Sequence, residues 1–143
     1  MTELVIQQRI AASRATVYHF LTRSEQWSKW QGSSATIDPR PGGLFSMVMG
    51  NGMNARGEFL ELVPDRRVVF TWGWIDSPGI PPGSTIVEID LEDDETGTLL
   101  VLTHRELPED EVAVHRLGWS HHLPRLAEVA SGGDPGTDSG PGE

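Results

Sequence analysis

The side chains with the most chemical capacity in this chain are its histidines and its tryptophans. His104 and His115 are set to face an interior from a strand and a helix, where an imidazole serves either as a polar handle for a ligand or as a general acid or base near neutral pH. His121 and His122 are adjacent. On a helix they point about 100° apart, which disfavours a shared metal and suggests surface placement. No metal site and no cofactor is expected. Cysteine is absent, so thiolate nucleophiles, thiolate metal ligands and disulfides are all excluded. No Gly-x-Ser-x-Gly elbow is present. Gly42-Gly43 and Gly50-Asn51-Gly52 lack the remaining residues of a phosphate loop and read as strand turns. The acidic run Glu92 to Glu95 lacks the spacing of a calcium loop and reads as a solvated hairpin tip.

Five tryptophans in 143 residues, together with phenylalanines and methionines at regular spacing, are the second resource. Phe45, Met47 and Met49 share one strand parity, and Phe70, Trp72 and Trp74 share another. Phe59 joins them from the strand between. Trp119 and Leu123 come from a helix, and Trp27 and Trp30 from a short helical segment. Such side chains either fill a core or line a pocket for a flat apolar ligand. The candidate ligand-contacting set is therefore Trp27, Trp30, Phe45, Met47, Met49, Phe59, Phe70, Trp72, Trp74, His104, His115, Trp119 and Leu123.

Positioning these groups requires a particular order of elements. Leu4, Ile6 and Ile10 alternate with Glu3, Gln7 and Arg9, which predicts a half-buried strand. Ser13 caps a helix over residues 14–22, and Ser24 starts another that runs to Trp30. Six strands follow, at 35–39, 44–49, 55–62, 67–75, 84–91 and 98–107. Connections this short make neighbouring strands antiparallel, because a parallel crossover needs about a dozen residues. Residues 76–83, rich in proline and glycine, form a loop long enough to act as a rim or lid. From Glu109 to Ser131 the period is helical, with Val112, His115, Trp119, Leu123, Leu126 and Ala130 in one stripe and a kink expected near Ser120 because of Pro124. A twisted seven-stranded sheet leaves a concave face for that helix to cover. One α+β domain over residues 1–131 is expected, followed by a disordered, acidic, Gly/Pro-rich tail at 132–143.

A net charge of -10 and the absence of a basic patch argue against nucleic-acid or anionic-membrane partners. No apolar run is long enough for membrane insertion, and the first residues do not read as a signal peptide. A cytoplasmic location is expected.

The segments RPGGLF (Arg40 to Phe45), ARGEFLELVPDRRVVFTW (Ala55 to Trp72), GTLLVLTHREL (Gly97 to Leu107) and HRLGWSHHLPRLAEVASGG (His115 to Gly133) resemble bacterial START-like (SRPBCC) proteins related to the C-terminal domain of the heat-shock-protein-90 ATPase activator. The resemblance covers residues 3–133. It implies a helix-grip fold, a curved antiparallel sheet wrapped around a long C-terminal helix with an internal cavity. The superfamily includes lipid and hormone carriers, polyketide cyclases and a self-sacrificing resistance protein, so the site must be argued on its own residues. Three readings stand. The first is a binder of a small apolar or amphipathic molecule. The second is a cofactor-free cyclase or hydrolase of an aromatic polyketide, and the third a chaperone-linked interaction domain. A homodimer is compatible with each.

Overall fold

The computed structural model describes residues 2–136 and Asp138. The chain runs β1 (Thr2–Ile10), α1 (Arg14–Thr22), α2 (Ser24–Trp27), β2 (Ser34–Ile37), β3 (Leu44–Val48), β4 (Asn54–Val63), β5 (Arg67–Trp72), β6 (Thr85–Asp94), β7 (Gly97–Leu107), a 3₁₀ turn (Glu109–Glu111) and α3 (Val112–Ala130). The strands form one sheet in the order β1-β7-β6-β5-β4-β3-β2. Every neighbouring pair is antiparallel. The expected α+β helix-grip arrangement is the observed one: the curved sheet closes on α3, and α1 and α2 follow the first strand.

Local chemistry explains the boundaries. Ser13 accepts a hydrogen bond from the Thr16 amide, so α1 begins at Arg14. The second helix is shorter than expected. After Trp27 the backbone tightens into turns, with Lys29 N–H donating to the Gln26 carbonyl and Trp30 N–H to that of Trp27, which still carries Trp30 into the core. β5 stops at Trp72, short of the expected Ile75. Gly73 breaks the strand because a Cβ there would lie 1.9 Å from the Pro81 carbonyl, where the proline-rich loop folds back. Trp74 keeps its alignment through a lone bridge to Ala55.

One sheet face is apolar and the other charged. The alternation is clearest in β6 and β7, where every second residue from Thr85 to Leu91 and from Thr98 to His104 is buried. A register shift between Phe59 and Glu61 turns Glu61 to the charged side, where it pairs with Arg67 at 3.1 Å. The acidic end of β6 and its turn are largely exposed, as expected of a solvated tip, and carry ion pairs from Asp93 to Arg14 at 2.9 Å and from Asp94 to Arg9.

α3 carries His115, Trp119, His122, Leu123 and Leu126 as its buried stripe. It continues through Pro124 to Ala130. Proline has no N–H for the Ser120 carbonyl, and both residues are exposed, so the bond is lost where water has access. The centre of the core is an aromatic cluster in which Phe70 meets Phe45 at 4.5 Å between ring centres and Trp27 at 5.8 Å. Phe70→Ala is expected to lower the unfolding free energy by about 3–5 kcal/mol in urea titrations, and a loss below about 1 kcal/mol would contradict this packing.

Candidate functional site

Each buried indole needs an acceptor for its N–H. Trp30 donates to the Phe20 carbonyl at 3.1 Å and Trp27 to Gln31 Oε1 at 3.0 Å. Trp119 donates to His104 Nδ1 and Trp74 to His115 Nε2, both at 3.1 Å. The fifth, Trp72 Nε1, is buried without a partner among the described residues.

These bonds settle the state of both imidazoles. An indole only donates, so His104 Nδ1 holds a lone pair and its proton sits on Nε2. That N–H donates to Thr85 Oγ1 at 2.8 Å, and the Thr85 hydroxyl donates to the Trp72 carbonyl at 2.7 Å. His115 is the mirror case: Nε2 accepts from Trp74, and Nδ1 donates to the Glu111 carbonyl at 2.9 Å. Burial pushes the His104 pKa down to about 3, with the nearby His115 adding to the effect. Burial also lowers the pKa of His115, against the opposing pull of Glu111. Both rings are neutral, and both lone pairs are occupied by tryptophan N–H groups. Neither is available as a general base while those bonds stand.

His122 departs from the surface placement expected for the adjacent pair. It is buried, whereas His121 is partly exposed. Gln31 presents its oxygen to Trp27 and therefore its amide nitrogen to His122 Nδ1, at 3.2 Å. The His122 proton accordingly lies on Nε2 and donates to Asp138 Oδ2 at 2.9 Å. His121 Nε2 donates to Asp138 Oδ1 at 2.9 Å, and the Gly32 amide reaches Oδ2 at 2.8 Å. Ligand atoms of His121, His122 and Asp138 lie within 4.8 Å of one another, a spacing that resembles a cation site. The protonation argues for a hydrogen-bonded cluster, since a metal would need the lone pair at the His122 nitrogen where Gln31 and Trp27 together hold a proton. Burial lowers the His122 pKa despite the Asp138 charge.

Asp138 belongs to the segment expected to be a disordered tail. Within it Asp138 is buried and Arg125 bonds the Pro135 and Gly136 carbonyls at 2.9 and 2.6 Å, while residues 132–134 and 136 are exposed. The rest of that expectation, Thr137 and residues 139–143, lies outside the described residues.

Between the sheet end and α3 lies a recess of about 330 Å³. Of the side chains singled out in the sequence, Met49, Trp72, Trp74, His115 and Trp119 line it. Trp27, Trp30, Phe45, Met47, Phe59, Phe70 and Leu123 are packed into the core away from it, and His104 stands behind Trp119. Sequence reasoning missed Gln31, Met53, Gly118, His122 and Asp138, which also border the recess. Gly118 was detectable as a glycine inside an otherwise regular helical stripe, and it opens space: a Cβ there would touch nothing within 4 Å.

An antiparallel sheet gripping a C-terminal helix, with a recess between them, defines the START-like class. The family model described as "Activator of Hsp90 ATPase homolog 1-like protein" matches residues 11–131, and the chain belongs to that family. It is 28% identical over 121 residues to the human activator of 90 kDa heat shock protein ATPase homolog 1, covering 84% of this chain and 34% of the relative. It thus spans about a third of the length of that curated relative. Among solved structures, an AHSA1-like protein from Rhizobium etli is 42% identical with a TM-score of 0.73, covering 99% of this chain and 91% of that one. CalU16 from Micromonospora echinospora is 28% identical with a TM-score of 0.74, covering 91% and 76%. Among the described residues no helix is long and apolar enough to cross a membrane.

The neutral imidazoles make stability depend on pH in one direction. An unfolded histidine takes a proton near pH 6.5, whereas folded His104 resists until about 3. The unfolded state therefore binds more protons within that window. Stability is full above about pH 6.5 and declines as pH falls toward 3, with His115 and His122 acting in the same sense. In ¹H–¹⁵N spectra, His104 should remain the neutral Nε2–H tautomer from about pH 8 to about pH 5, and a midpoint near 6.5 would refute the buried-acceptor role.

Proposed function

We propose that this protein binds a small apolar or amphipathic molecule, aromatic in its body, in the recess between α3 and the sheet. The observation that carries the reading is the recess of about 330 Å³ itself, with Trp72 in its wall. The surrounding indoles of Trp74 and Trp119 and the thioethers of Met49 and Met53 offer adaptable apolar contact. A cofactor-free cyclase or hydrolase is disfavoured, because the imidazoles that would move protons are neutral and already committed to indole N–H groups.

The expected ligand reporter is N-phenyl-1-naphthylamine, a neutral fluorophore. Its emission should rise on mixing with the wild type and stay flat with Gly118→Leu, which places a side chain in the recess. That substitution leaves the fold intact and gains about 0.5–1 kcal/mol of helix propensity. Equal emission from both proteins, or none from the wild type, would overturn the reading.

A second reading, an interaction module paired with a chaperone or with another copy of the chain, draws on Val114 and Leu117, which are 63% and 55% exposed on α3. It predicts a concentration-dependent rise in mass by light scattering that Leu117→Glu removes. A constant monomer mass would exclude self-association.

A further inference from the structure

The three donors around Asp138 form a built site for a carboxylate. Gly32 N–H and His122 Nε2–H converge on one oxygen at 2.8 and 2.9 Å, and His121 Nε2–H meets the other at 2.9 Å. Their directions are set from behind. Gly32 holds φ 75° and a Cβ at that position would lie 2.5 Å from the Val48 carbonyl, so the amide is fixed against β3. The His122 proton is fixed by the Gln31–Trp27 relay. The donors come from the domain body, at positions 32, 121 and 122, whereas the acceptor arrives on the segment that follows α3. Arg125 straps that segment down, bonding Pro135 and Gly136 while its Nε donates to the Trp30 carbonyl at 3.1 Å. Asp138 and His122 both border the recess.

We infer that this cradle is the polar end of the ligand site, that Asp138 is its built-in occupant, and that the molecule bound in the recess is an aromatic carboxylate whose carboxylate takes the place of Asp138. The inference rests on the recess being a ligand site and names the class of ligand. Exchange of one carboxylate for another leaves the charge of the cradle unchanged, so a ligand anion meets no added repulsion there once Asp138 has withdrawn. Two imidazole N–H groups and a peptide N–H supply charge-assisted bonds to such an anion, as they do to Asp138. The body of the ligand then lies along Trp72, Trp74 and Trp119. A tethered carboxylate competes at an effective concentration in the millimolar range, so its removal strengthens binding of the free anion.

The test compares naphthalene-2-carboxylate with naphthalene-2-carboxamide by calorimetry and tryptophan quenching. The wild type, Asp138→Ala and Asp138→Ala/His121→Ala are titrated in parallel. The carboxylate should bind Asp138→Ala about tenfold tighter than the wild type, the amide should bind the two alike, and loss of His121 should remove most of the gain. Arg125→Met, which frees the strap without touching the cradle donors, should reproduce part of the gain and serves if Asp138→Ala does not fold. Equal gains for carboxylate and amide, or no gain for either, would overturn the cradle while leaving the recess as a binding site. Failure of both compounds to bind any variant would overturn the recess reading itself, and the cradle with it.

Discussion

Five tryptophans in a chain of this size impose a constraint that organises the rest of the molecule: each indole brings an N–H that calls for an acceptor, and among the described residues all but Trp72 have one. Two solutions are conventional, a backbone carbonyl for Trp30 and a glutamine oxygen for Trp27. The other two met in the interior are unusual in using imidazole nitrogens, and this links β7 to α3 through His104 and Trp119 and the 3₁₀ turn to Trp74 through His115. The histidines are thus kept neutral and oriented by the aromatic residues they serve. Their burial is compatible with stability because every ring nitrogen has a partner.

That accounting also separates the functional classes open to this fold. A histidine with one nitrogen on a carboxylate and the other free is the usual proton shuttle. Here His122 has the carboxylate, yet its second nitrogen faces the Gln31 amide, so the resemblance to a catalytic dyad is superficial. The recess itself is walled by Met49, Trp72, Trp74 and Trp119, with His115, His122 and Asp138 at its border.

Much of the architecture was legible because its causes are local. Alternation in 97–107 marks the buried face of β7, the Ser13 hydroxyl starts α1, and the spacing of His115, Trp119, Leu123 and Leu126 marks the inner stripe of α3. The division between core and recess was not legible. Phe70, Trp72 and Trp74 have the same strand parity, yet Phe70 is enclosed in the core while Trp72 and Trp74, nearer the sheet end, line the recess. His122 was misplaced although it stands three residues after Trp119 and seven after His115, on the inner stripe of α3; its polar partner Gln31 comes from a distant turn. Asp138 stands 16 residues from His122 across glycines and prolines, where no periodicity marks a contact.

The order of the sheet has a further consequence for the chain as it is synthesised. β1 pairs with β7 alone, so Thr2 meets Leu107 and Ile10 meets Thr98. β1 therefore has no native neighbour in this sheet until β7, its last strand, has been made. Its alternating Leu4, Ile6 and Ile10 must wait as an unpaired edge while β3 to β6 can zip to one another in sequence. Closing so long a loop is entropically costly and slow, which makes nascent β1 the strand of this sheet most in need of shelter.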